Sequence, residues 1–343
     1  MVEKEKIVSD VKNYYGEKLK TSDDLQTTAC CAADSMPKYV REIISQIHPE
    51  VLEKFYGCGS PIPAEIGNKA VLDLGCGSGR DVFIFSKLIE NGQAIGIDMT
   101  DEQIAVAESH KKFHTELFNL KDENIVFKQG YIEDLKSLDI KDNSIDVVTS
   151  NCVINLSVNK QKVFSEIFRV LKNNGELYFS DIFADKRIPK NLQSDPELVG
   201  ECLGGALYFE DFRRIIQDLG FKKIFVSSKT KIDLKNNEIE NKLKDINFYS
   251  INVRIFKSDL EDQEENYGQT AEYLGTIKHL EDKFFFDECN EFVKNKKTNI
   301  SGNLARVLTQ SRYAKHFKIE GDETHHLGLF EKEISKPKSS SCC

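Results

Sequence analysis

The sequence predicts an α/β fold, a doubly wound, mostly parallel sheet covered by helices, with a helical extension before it and a small α+β unit after it. Three observations predict it. Short apolar runs alternate with amphipathic helical stretches from residue 68 to 228, a glycine-rich turn joins the first run to the first helix, and glycine thins out after about Leu234 while Asn and Lys accumulate.

Ala70-Val71-Leu72-Asp73-Leu74 reads as the first buried strand, and Ala94-Ile95-Gly96-Ile97-Asp98 as the second. Between them, Arg80 to Glu90 reads as a helix with Val82, Phe83, Phe85 and Ile89 on its apolar side, which completes a β-α-β unit. Thr100 and Gln103 fit a capping box that opens a helix running to about Phe118. Further strands fit Ile125 to Phe127, Ile145 to Thr149 and Glu176 to Ser180, with a helix over Lys160 to Leu171 whose stripe is Val163, Ile167 and Val170. Pro61-Ile62-Pro63 marks the junction with the N-terminal stretch. The expected divisions are therefore residues 1–62, a helical extension bearing thiols; 63–234, the core; 235–335, a small C-terminal domain; and 336–343, a tail of Pro, Lys and Ser ending in Cys342-Cys343.

Bulk composition narrows the function. At 343 residues the chain exceeds one ordinary core, and 47 Lys+Arg against 56 Asp+Glu leave a formal charge of -9, which makes nucleic acid and anionic membrane poor partners. The first residues lack the uninterrupted apolar run of an export signal, and no window is long and apolar enough to span a bilayer, so a cytoplasmic monomer is the expectation. Nine cysteines in a reducing compartment then require another explanation than structural disulfides. None of them is spaced as C-x-x-C, so the sequence-local zinc signature is absent.

Asp73-Leu74-Gly75-Cys76-Gly77-Ser78-Gly79-Arg80 directly follows a strand and opens a helix, the context in which a glycine-rich loop holds a ligand. Arg80 stands where a dinucleotide fingerprint requires its third glycine, which argues against NAD. Asp98 ends the next strand, where a carboxylate can accept from both hydroxyls of a ribose. This loop, this acid and Gly130-Tyr131-Ile132-Glu133 resemble the S-adenosylmethionine (SAM) segments of Rossmann-like class I methyltransferases. The resemblance implies that Asp73, Gly75, Gly77, Gly79, Asp98, Met99, Ile132, Glu133 and Asn151 surround SAM. Cys76 reads as a small filler facing the sheet.

Where an O- or N-methyltransferase would place an acid or base, this chain offers Cys152 after the fourth strand, and Cys202 lies in Gly200-Glu201-Cys202-Leu203-Gly204-Gly205. These strings, with Thr27-Thr28-Ala29-Cys30 and Tyr56-Gly57-Cys58-Gly59, are similar to arsenite methyltransferases from about Tyr14 to Lys257. That resemblance implies four functional thiols, Cys30, Cys58, Cys152 and Cys202, with As(III) on Cys152, Cys202 and Cys58, and Tyr56 presenting its ring face to the sulfonium. It also implies arsenite and methylarsenite as acceptors, giving mono-, di- or trimethylated products, and a thiol reductant of glutathione or thioredoxin type that restores oxidised thiols. Cys31 doubles the Cys30 position and leaves two candidates there. Trivalent arsenic is soft, so thiolates suit it better than carboxylate or water. Two other readings are a methyltransferase of another small organic acceptor, with packing cysteines, and a non-catalytic thiol protein that binds metalloids. Cys289 reads as inert, and His325-His326 as a solvated pair rather than a metal site.

Overall fold

The structure, a computed structural model, describes residues 36–57, 61–234 and 237–331. Its described residues form two compact units, divided between Ser258 and Asp259 rather than after Leu234.

In the first unit, the strands β1 (Ala70–Leu74), β2 (Gln93–Asp98), β3 (Ile125–Gln129), β4 (Ile145–Asn151), β5 (Leu171–Ala184), β7 (Phe225–Lys231) and β8 (Phe248–Phe256) form a sheet in the order β3-β2-β1-β4-β5-β8-β7. The short β6 (Leu207–Tyr208) pairs with β5. Strands β1 to β5 are parallel, whereas β8 runs antiparallel to both β5 and β7. Phe248 to Lys257, assigned from sequence to the C-terminal domain, is thus an inner strand of the main sheet. Its Arg254 forms a buried ion pair with Glu176 of β5.

Alternation along the strands sorts side chains between two cores. Leu72 and Leu74 of β1 pack with Ile95, Ile97, Phe164, Phe179 and Phe212 on one side, while Val71 packs with Ala94, Val82, Phe83, Phe85 and Phe127 on the other. The first core is covered by α5 (Lys160–Val170) and α7 (Phe209–Asp218), the second by α1 (Lys38–Ile44), α3 (Arg80–Leu88) and α4 (Asp101–Phe118). Thr100 is the residue before α4, but its side chain makes no cap bond to the helix. The expected capping box is replaced because Asp98 draws in both the Thr100 amide, at 2.8 Å, and its hydroxyl.

A histidine cluster ties α2 (Pro49–Glu53) to α4. His48 stacks on His110 at 3.8 Å with ring planes 23° apart, His110 Nε2 lies 2.8 Å from Glu50 Oε2, and His114 Nε2 accepts from the His48 amide at 3.2 Å. His48, Glu50 and His110 could supply metal ligands, but His48 Nδ1 is occupied as acceptor from the Glu50 amide and His110 Nε2 is paired with Glu50 Oε2. The cluster is a hydrogen-bonded staple. Burial pushes the His114 pKa down to about 4, from an ordinary value of 6.5. As pH falls from 6.5 toward 4, the unfolded chain takes a proton that the folded one refuses, so stability is lost through that window, by about 1–3 kcal/mol once solvent screening is allowed for. Denaturant titrations of the parent and His114→Gln should differ accordingly, the variant losing less stability across that range.

The second unit holds β9 (Thr270–Tyr273) between β12 (Lys297–Asn299) and β13 (Phe317–Glu320), a hairpin of β10 (Lys283–Asp287) and β11 (Asn290–Val293), and α9 (Gly302–Gln310). Its core is aromatic, with Tyr273, Phe284, Phe286, Phe292 and Tyr313 buried. The α+β expectation for a C-terminal domain holds, with its start at residue 259.

Candidate active site

Strand order reverses between β1 and β4, and at the carboxyl ends of β1, β2 and β4 lies a cavity, the position where open α/β sheets hold ligands. The glycine loop forms its floor. Gly75 has φ +70°, and its amide and that of Cys76 bond to Ile97 O at 2.7 and 2.9 Å, so the chain turns tightly off β1. A Cβ on Gly75 would stand 2.3 Å from Val153, next to Cys152. Gly77 donates its amide to Asp98 Oδ2 at 2.9 Å, which fixes the loop to the acid at the end of β2.

Asp98 is buried, and this desolvation raises its pKa, while amide donors of Thr100 and Gly77 oppose the rise. Its oxygens accept the Gly77 and Thr100 amides at 2.9 and 2.8 Å, and a carboxylate's lone pairs can take a further donor such as a ribose hydroxyl. Asp73 and Asp81 also line the cavity. Burial pushes Asp73 up to about 8, aided by the neighbouring charge of Asp81 and opposed by the Thr149 hydroxyl, which donates at 2.8 Å. Acids beside the glycine loop disfavour a pyrophosphate, and a bound cation would favour the ionised form of Asp73 that burial otherwise disfavours. A zwitterionic sulfonium nucleoside fits this donor set; a dinucleotide does not.

The wall opposite the loop is the segment after α2. Arg80 sits 3.1 Å above the Phe55 ring centroid and bonds Asp81, Ser78 Oγ donates to Val51 O at 2.7 Å, and Lys54, Phe55, Tyr56 and Gly57 line the cavity. A Cβ on Gly57 would lie 2.5 Å from Asn151 Nδ2, so the wall presses on the end of β4.

Of the residues expected around SAM, Tyr56, Asp73, Gly75, Gly77, Asp98, Met99, Ile132, Glu133 and Asn151 all line this one cavity. Gly79 is the exception. It precedes α3 in left-handed conformation, and an added Cβ would meet Phe127 at 2.9 Å, so its role is packing. Cys76 is buried against Gly96 of β2, whose missing side chain leaves room for the sulfur, and burial pushes its thiol well above the ordinary range. Lys54, Phe55, Asp81, Leu156 and Ser157 also line the cavity although no sequence signal marked them, and Thr100 and Gln103, read from sequence only as a capping box, line it as well.

Cys152 lies at the cavity wall and Cys202 beside it, with Cys202 Sγ donating to Cys152 O at 3.3 Å. Both are non-glycine residues in the left-handed region, at φ +58° and +59°. Such strain persists only where the surroundings enforce it, and it gathers at functional sites. Cys152 is disulfide-bonded, and Cys76, Cys202 and Cys289 take part in no disulfide. Cys30, Cys31, Cys58, Cys342 and Cys343 lie outside the described residues. No described helix is long and apolar enough to cross a membrane.

The sheet order, glycine loop and strand-end acid define a class I methyltransferase, and residues 67–220 match a methyltransferase domain family. Residues 267–342 match the arsenite methyltransferase C-terminal domain. The chain is 43% identical to the arsenite methyltransferase of Aquipseudomonas alcaligenes, across 97% of this chain and 99% of that one, and 40% identical to the human arsenite methyltransferase, across 91% and 84%. It is similar to the crystal structure of an arsenic (III) S-adenosylmethionine methyltransferase from Chlamydomonas reinhardtii, with a TM-score of 0.83 and 42% identity over 87% of this chain and all of that one. The chain belongs to the arsenite methyltransferase family.

Asp98→Ala should weaken SAM binding by roughly 1.5–3 kcal/mol, since bonds to a charged acceptor are lost along with the loop's anchor. Calorimetry should show arsenite affinity nearly unchanged.

Proposed function

We propose that this enzyme methylates trivalent arsenic with SAM, holding arsenite on the thiolates of Cys152, Cys202 and Cys58. The observation that carries the reading is a strained cysteine, Cys152, at the wall of this cavity, with a second strained cysteine, Cys202, bonded to its carbonyl. A packing cysteine has no need of a left-handed backbone. This favours the arsenic reading over an organic acceptor, and the intact glycine loop with Asp98 favours it over a non-catalytic thiol protein.

Three thiolates bind arsenic as a trigonal pyramid and leave its lone pair as the nucleophile, so no general base acts on the acceptor. SAM supplies an electrophilic methyl carbon. The lone pair forms the arsenic–carbon bond as the carbon–sulfur bond breaks, its electrons staying on sulfur, so positioning provides most of the rate. Tyr56 offers a ring face to the sulfonium charge. Arsenic is formally oxidised by two electrons; a thiol pair returns them by becoming a disulfide and releasing two protons, with Cys30 the candidate partner. A dithiol reductant of glutathione or thioredoxin type must then reduce that disulfide. The disulfide on Cys152 fits this need, because Cys152 can ligate arsenic only after reduction.

Speciation of products after incubation with SAM, arsenite and thiol tests the proposal. Arsenic–carbon products and S-adenosylhomocysteine should form in matched amounts, and SAM consumption without arsenite would contradict it.

A further inference from the structure

We infer that Asp181 and Asn155 are a positioning pair that holds the Cys152 and Cys202 loops at the separation trivalent arsenic requires. This rests on the reading that these two thiols bind arsenic. Both cysteines occupy a backbone region that non-glycine residues leave unless held, at φ +58° and +59°. What holds them is the turn after β4. Three residues beyond Cys152, Asn155 donates its amide to Asp181 Oδ2 at 3.1 Å and its side-chain nitrogen to Asp181 Oδ1 at 2.7 Å and Ile182 O at 2.6 Å. Asp181 Oδ1 also accepts from the Ile182 amide at 2.8 Å, and the Cys152 amide bonds to Ser180 O at 2.9 Å. The first loop is therefore sewn to β5 over three consecutive residues.

The second loop rests on the same turn. Three residues beyond Cys202, a Cβ on Gly205 would stand 2.1 Å from Asn155 O, so backbone meets backbone there. Cys202 Sγ reaches Cys152 O at 3.3 Å, closing the link between the two loops. Asp181 and Asn155 are 1% and 4% exposed, and neither lines the cavity that surrounds the glycine loop. A buried carboxylate is costly unless its oxygens are met by donors, and here three donations meet it with directions that an apolar pair could not impose. The pair should consequently govern how the thiols present themselves and leave the cofactor loop alone.

Phenylarsenite separates these effects, because its one arsenic–carbon bond leaves two exchangeable positions, so tight binding requires two thiols at a fixed distance. The assay titrates phenylarsenite and SAM separately into the reduced full-length protein, the parent against Asp181→Asn and, as a milder change, Asn155→Ser. Phenylarsenite affinity should fall about 10–100-fold in Asp181→Asn, as when groups that orient a ligand are removed, and by less in Asn155→Ser, with SAM affinity within about twofold of the parent. Unchanged phenylarsenite affinity in both variants overturns the inference, as does an equal loss of SAM affinity, which would mark the pair as merely structural. Cys152→Ser and Cys202→Ser define the share of binding owed to these thiols. If that share is nil, the arsenic-ligand reading fails first and takes the inference with it.

Discussion

Cys152→Ser and Cys202→Ser should each abolish methylation of both arsenite and methylarsenite, whereas Cys58→Ser should lose only the first. The expectation follows from valence. Arsenite has three exchangeable positions, but methylarsenite carries one carbon that thiols do not displace, so only two protein ligands can hold it. Cys152 at the cavity wall and Cys202, whose Sγ bonds the Cys152 carbonyl, are the pair the proposed reading assigns to it. A serine hydroxyl is hard and does not ionise near neutrality, so either substitution removes a ligand and not merely a contact. Loss of Cys58 leaves arsenite under-coordinated yet leaves the two-thiolate methylarsenite complex whole. Cys30→Ser should share the selectivity of Cys58→Ser if Cys30 serves in reduction, with Cys31→Ser as the control for the doubled position. Rates on each substrate with fresh thiol check all five variants.

Gly75→Ala should be nearly as damaging although it adds one carbon. The residue has φ +70°, which costs an L side chain roughly 1–2 kcal/mol, and the new Cβ would stand 2.3 Å from Val153. Val153 is β-branched and follows Cys152, itself strained, so it cannot move without moving the thiol. Strain and overpacking together should weaken SAM binding by about 2–4 kcal/mol, and kcat should fall as well if Cys152 holds the arsenic acceptor, because that thiol shifts. Calorimetry for SAM and single-turnover rates separate the two effects. A variant that binds SAM normally would show that Gly75 is not at the cofactor loop.

Much of the site was legible because its chemistry is local. The glycine loop, Asp98 and Ile132-Glu133 each follow a strand end, so period-2 runs placed them at one edge of one sheet, where the cavity gathers them. What could not be read was pairing over distance. Strand β8 fell within the stretch assigned to the C-terminal domain, because its place beside β5 depends on partners such as Arg254 and Glu176, some eighty positions apart in sequence. The start of β5 was hidden because Lys172-Asn173-Asn174-Gly175 carries turn residues, and Asn174 does adopt φ +61° within an element that begins at Leu171. Thr100 and Gln103 matched a capping box by spacing, yet Asp98 competes for Thr100 and wins, a contest the helix sequence alone does not display. The Asp181–Asn155 link was equally silent, since both residues sit in otherwise ordinary apolar strings.

X-ray absorption at the arsenic edge, on the reduced full-length protein loaded first with arsenite and then with methylarsenite, tests the central claim most directly. Three sulfur neighbours and no oxygen are expected for arsenite, then two sulfurs and one carbon for methylarsenite, with that two-sulfur complex lost in Cys202→Ser. Oxygen ligands on arsenite in the parent, or a methylarsenite complex that Cys202→Ser leaves unaltered, would contradict it.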